Sequence, residues 1–140
     1  MINKEMARDY LQRAKWCLEE ALLARDREDY AGVVRRSQEA LELAAKALLR
    51  AHAIEYPREH DVSEALINEK KRFPPEIQGQ IEPLAALVNE LASIRGPAMY
   101  GLEREGIPPS KTVEKREALK ILTNVQDYVK KIDTTIAPYL

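Results

Sequence analysis

Tyr30-Ala31-Gly32-Val33-Val34-Arg35-Arg36-Ser37-Gln38-Glu39-Ala40, running on through Ala44-Ala45-Lys46-Ala47-Leu48-Leu49 toward Ala53, is the stretch whose reading decides the fold. Its apolar residues, Val33, Val34, Ala40, Leu41, Ala44, Ala47, Leu48 and Ala51, return at steps of three and four. That spacing predicts a helix over 30–53 with a wide apolar arc. Many of these residues are alanines, which let neighbouring helices come close, so the segment reads as the central helix of a bundle.

The flanking segments repeat the pattern. From Lys4 to Arg27 an apolar stripe of Ala7, Tyr10, Leu11, Ala14, Cys17, Leu18, Ala21 and Leu22 predicts a first long helix. The polar run Asp26-Arg27-Glu28-Asp29 predicts a tight turn between the two. Tyr56-Pro57 breaks the second helix, because proline disfavours the α conformation of the residue before it. Asp61 followed by Glu64 resembles a capping box and predicts a short helix from Val62 to about Lys70. The chain restarts at Pro74-Pro75, and a third long helix, kinked or restarted at Pro83, carries its stripe from Ile81 to Ile94 and ends toward Arg95. Gly96 to Pro109, with three glycines and three prolines, predicts the main irregular region. Ser110 or Thr112 then caps a last helix over Val113 to Ile132, which Pro138 ends. The expectation is an all-α, up-down bundle of four long helices and one short one in a single domain over 1–140.

Composition agrees with that expectation and excludes several functions. Apolar residues make up 45% of the 140 and charged residues 32%, a globular balance large enough to bury a core. With 22 basic and 23 acidic side chains the net charge is −1, which argues against strong global attraction to nucleic acid or to an anionic membrane, while leaving room for a local basic patch. Cys17 is the sole cysteine and reads as a small core residue. No apolar run approaches the roughly 18 residues of a membrane helix, and no targeting segment is legible, so a cytoplasmic protein is expected. Neither a Gly-rich phosphate loop nor a metal-ligand spacing around His52 or His60 is present, so no cofactor or metal is expected. Lys70, Lys71 and Arg72 read as a solvated helix end.

The helix-two segment, with Arg35-Arg36-Ser37 followed by Glu39-Ala40, and its exit Ile54-Glu55-Tyr56-Pro57 before His60-Asp61 resemble the HEPN family over nearly the whole chain. HEPN domains are small α-bundles, often encoded beside minimal nucleotidyltransferases. The family's chemical signature is an Arg followed five residues later by His; here Arg95-Gly96-Pro97-Ala98-Met99-Tyr100-Gly101 keeps the arginine and puts Tyr100 in the histidine's place. The resemblance implies a homodimer in which paired motifs act on RNA without metal, and a nucleotidyltransferase partner of toxin–antitoxin type. Arginine suits a phosphate because its planar fork donates two parallel hydrogen bonds. Histidine carries protons near neutrality. Tyrosine ordinarily titrates near pH 10, so only about 0.1% is phenolate at pH 7.

The altered motif therefore points to a nucleotide- or RNA-phosphate-binding module with weak or no ribonuclease activity. Arg95 and Tyr100 stand at the catalytic positions, and Arg35, Arg36 and Arg95 are the candidate phosphate-binding residues. The alternatives are an active ribonuclease, with Tyr100 acidified by arginines across a dimer, and a purely structural partner-binding subunit. Arg35 and Arg36 have a plainer reading as ion-pair partners of Glu39 on a solvated helix face. Tyr100 has two further readings: acceptor of an AMP group from a partner nucleotidyltransferase, and a contact packed against the opposite subunit.

Overall fold

The computed structural model describes residues 3–140. Helix α1 (Lys4–Asp26) and helix α2 (Tyr30–Ala51) form an antiparallel hairpin. The short helices α3 (Ser63–Asn68) and α4 (Pro75–Gln78) lead into α5 (Ile81–Tyr100), and α6 (Lys115–Ile136) closes the fold. Single 3-10 turns lie at Lys70–Arg72, Pro109–Lys111 and Ala137–Tyr139. The four long helices are those the sequence spacing predicts. In place of one short helix there are two, because Gly79-Gln80 interrupts the segment that starts at Pro74. Pro83 kinks nothing: it occupies the first turn of α5, where a missing N–H has no helical partner to lose.

Local chemistry sets the boundaries. Asn3 and Asp29 cap α1 and α2, their side chains accepting from the N–H groups of Met6 at 3.0 Å and Gly32 at 2.9 Å. Ala53 adopts a positive φ of 58°, and the Ile54 N–H returns to the Leu49 carbonyl at 3.0 Å, so α2 stops at Ala51 rather than Ala53. Arg72 is no idle solvated charge. Its guanidinium donates to the carbonyls of His52 (3.1 Å) and Ala53 (3.2 Å), tying the 3-10 turn to the end of α2. Asp61 is not the N-cap of α3; Val62 holds that place. The Asp61 carboxylate accepts from the Ser63 N–H and from Asn89 of α5. Burial alone would raise its pKa, yet these bonds outweigh burial and hold the carboxyl below its ordinary range.

Two expectations near the C-terminal half need correction. The irregular region begins at Gly101, not Gly96: α5 remains helical through Gly96 and Pro97 to Tyr100. Gly and Pro lower intrinsic helix propensity by about 1 and 3 kcal/mol, but tertiary contacts override it here. Ala98 is buried, the Gly101 N–H closes on the Pro97 carbonyl at 2.8 Å, and Thr112 Oγ1 reaches the same carbonyl at 3.4 Å. Thr112 is consequently unavailable as a cap, its hydroxyl being directed at Pro109 and Pro97. Ser110 lies in the 3-10 turn, and α6 begins after Glu114 with no side-chain cap.

Helix α2 is central, as its wide arc predicts. It packs against α1, α5 and α6, while α5 and α6 scarcely touch. Leu41, Leu48, Leu49, Leu66, Ile77, Ile81, Leu84, Leu91, Ile132 and Ile136 fill the core without exposure. Burying one such side chain contributes roughly 1.5–3 kcal/mol. Phe73, at the threshold of α4 and α5, sits edge-on to His52 at the end of α2. From there α5 runs back antiparallel to α2, so its C-terminal end lies toward the half of α2 that carries Arg35 to Glu39.

Candidate functional site

Arg95 falls on the inward stripe of α5 and is partly buried. The inward stripe of α5 runs Ile81, Leu84, Val88, Leu91, Arg95, Ala98 at alternating steps of three and four. A guanidinium is thereby rooted where the helix pattern calls for an aliphatic residue. Its Nε is buried and has no hydrogen-bond partner, and the residue forms no ion pair among the described residues. Such a group costs about 1–3 kcal/mol when left unsatisfied, and its presence asks for an explanation.

Tyr100 ends the same helix and is 61% exposed. Five residues at about 100° each place it roughly 140° around the helix from Arg95. The two side chains therefore leave α5 on different faces.

The turn after Tyr100 is fixed by Gly101, whose φ of 75° and ψ of −162° lie in a region that side chains rarely enter. A Cβ there would stand 2.1 Å from the Ile107 carbonyl oxygen. Leu102 and Ile107 then exchange backbone hydrogen bonds at 2.8 and 3.1 Å, making a one-bridge hairpin that clamps the end of α5. Met99 and Leu102 are exposed beside Tyr100, so the motif lies next to an open apolar surface.

Arg35 and Arg36 are engaged elsewhere. Arg35 pairs with Glu39, and Arg36 bonds Glu39 at 3.4 Å and Glu20 of α1 at 3.3 Å. Arg36 thus faces α1, whereas Arg95 enters the core from α5. Glu39 also accepts from the Cys17 thiol at 3.6 Å, and burial, followed by the Glu39 charge, pushes that thiol up to about 12. The cluster is a charge-balanced seam of the α1–α2 hairpin. Two polar residues missed as site candidates lie in the same stretch: Ser37 Oγ and Gln38 Oε1 are buried without partners. Their signal in the sequence was position, since both interrupt the wide apolar arc of α2.

His60 Nδ1 lies 2.9 Å from Glu42, and His52 Nδ1 lies 3.0 Å from the Leu48 carbonyl. Neither imidazole makes contact with Arg95 or Tyr100. Among the described residues no group of three His, Cys, Asp or Glu side chains is placed to hold a metal, and no helix is long and apolar enough to cross a membrane. A cavity of about 590 Å³ between α5 and α6 is lined by Gln80, Leu87, Glu90, Asn124, Asp127 and Tyr128. It contains no cation and lies apart from the Arg95 motif.

These features define an all-α bundle with a half-buried arginine near the end of its penultimate long helix. The HEPN domain family model matches residues 7–132, so the chain belongs to the HEPN family. Membership supports a nucleotide- or RNA-related role. Comparison with curated proteins and with solved structures gave no significant match.

Proposed function

We propose that this chain is a dimeric HEPN module that binds the phosphate of a nucleotide or RNA through Arg95, with weak or no ribonuclease activity, and that it acts beside a nucleotidyltransferase partner in a toxin–antitoxin-type pair. The observation that carries the reading is the partnerless, buried Nε of Arg95 on the core stripe of α5. An anion is the ligand that such a group lacks. The exposed Met99, Tyr100 and Leu102 support a second subunit or partner over this end of α5. Arg35 and Arg36 are weaker contributors, because Glu39 and Glu20 already neutralise them.

Calorimetric titration of the protein with ATP, GTP and short RNA tests the assignment. Binding that Arg95→Ala weakens at least tenfold is expected. Absence of binding, or affinity indifferent to Arg95→Ala, removes the site. Induced expression decides the catalytic question: growth arrest with RNA cleavage would favour the ribonuclease alternative over the binding module.

A further inference from the structure

At the other end of the α1–α2 hairpin two adjoining cavities, about 450 and 560 Å³, share Arg50, Tyr56 and Arg58 as walls. The first also meets Tyr10, Lys46 and His60. Arg50 is held in a fixed pose. Its Nε donates to the Tyr56 hydroxyl at 2.7 Å, and its guanidinium carbon lies 5.3 Å from the Tyr56 ring centre and 5.4 Å from that of Tyr10. Such cation–ring contacts orient the group without neutralising it. With Nε committed, the two terminal nitrogens of Arg50 make no hydrogen bond or ion pair among the described residues. Arg58 is exposed in the loop after Pro57 and forms no ion pair there either. Lys46, one turn before Arg50 on α2, lies 2.9 Å from Glu42, whose other oxygen contacts His60.

The first cavity thus presents the oriented Arg50 and the exposed Arg58, both without ion pairs, with Lys46 paired to Glu42 beside them and Glu59 at the rim; Glu55 lines the second cavity. Two arginine forks with free terminal donors match the spacing of phosphate oxygens better than isolated ammonium groups would. Each of the two guanidinium groups can take a pair of phosphate oxygens, so the fitting ligand carries more than one phosphoryl group along a short chain. The volume suits a small molecule, not a duplex.

We propose that Lys46, Arg50 and Arg58 form a second anion site, which binds the phosphoryl chain of a nucleoside triphosphate or of inorganic polyphosphate, independently of Arg95. The occupied ligand would bridge α2 and the Pro57–His60 loop.

The test is calorimetry on the full chain at low salt, with sodium tripolyphosphate and with ATP as separate probes, repeated with Arg58→Ala, Lys46→Gln, Arg50→Gln and Arg95→Ala. Tripolyphosphate is expected to bind, with affinity falling at least fivefold in Arg58→Ala and at least tenfold in Lys46→Gln or Arg50→Gln. Arg95→Ala, which removes any separate component at α5, leaves the binding component that depends on Arg58 within twofold. Arg58 is exposed and holds no structural bond, so its variant reads binding even where Arg50→Gln disturbs the fold. ATP binding tighter than tripolyphosphate identifies the nucleotide as the source of the chain; equal or weaker ATP binding identifies inorganic polyphosphate. Absence of tripolyphosphate binding at millimolar concentration, or affinity unchanged by both Arg58→Ala and Lys46→Gln, overturns the site. Loss of tripolyphosphate binding in Arg95→Ala equal to that in Arg58→Ala overturns its independence and returns the phosphate to α5.

Discussion

Replacing Arg95 by methionine should stabilise the free protein while abolishing phosphate binding at the α5 site. The magnitude follows from the residue's surroundings. Its Nε is a buried donor with no partner, a situation worth about 1–3 kcal/mol. The residue as a whole is only partly buried, so the rest of the guanidinium retains water and the low end of that range applies. Methionine keeps a flexible, unbranched stem on the stripe between Leu91 and Ala98, and an apolar replacement that removes the orphan donor recovers about 1 kcal/mol. For a domain of this size that gain is about 4 °C in melting temperature. Scanning calorimetry and urea denaturation measure it, with an unchanged m-value showing that the denatured state is not the cause. Saturating ligand should reverse the order. At a hundred times the dissociation constant, wild type gains about 2.7 kcal/mol that the methionine variant cannot. A variant destabilised by 1 kcal/mol or more without ligand would refute the reasoning, because Arg95 would then be supporting the fold rather than waiting for an anion.

Gly101→Ala forces a side chain into φ 75°, ψ −162° with its Cβ 2.1 Å from the Ile107 oxygen. A loss of at least about 2 kcal/mol in chemical denaturation is expected, and a neutral result would mean that the hairpin after α5 is not fixed. Cys17, with its thiol raised from 9.0 to about 12 by burial and by Glu39, has about one thiolate in ten thousand at pH 8, against about one in ten for the unfolded chain. Alkylation of the native protein at pH 8 should therefore be roughly a thousandfold slower than in denaturant. Since the folded value lies above the unfolded one, the native state keeps its full share of this stability below pH 9.0 and loses it as pH rises toward about 12. Rapid labelling of native protein at pH 8 would contradict both statements.

The long helices were legible because their apolar stripes are long and regular, and such periodicity reports burial directly. Boundaries were less so. Ala53 in a left-handed turn and Thr112 bonded to Pro97 depend on residues that are distant in sequence or on backbone angles that no single residue type dictates. Gly96-Pro97 misled for the same reason. Local propensity predicts a break there, and burial of Ala98 with the clamp from Thr112 holds the turn helical. Of the candidate site, Arg95 and Tyr100 could be marked by motif, but the burial of Arg95 could be recognised only by counting it into the stripe of α5. The cluster around Arg50 escaped notice altogether, because Tyr10, Arg50, Tyr56 and Arg58 are brought together by the hairpin and the loop after it, and spacing along the chain says nothing of that.

The geometry of α5 also bears on what the altered motif can do. Arg95 and Tyr100 are five residues apart, so the helix turns them to faces about 140° apart. One faces the core without a partner, and the other stands 61% exposed. A histidine at position 100 would be turned away from its own arginine in the same way. The proposed dimer would supply both groups to one phosphate from two chains. The change to tyrosine removes a proton carrier from such a joint site but leaves each chain's arginine where it was. Phosphate binding by Arg95 and proton transfer at position 100 are thus separable properties of this fold: a Tyr100→His variant that gained cleavage without changing ligand affinity would separate them experimentally.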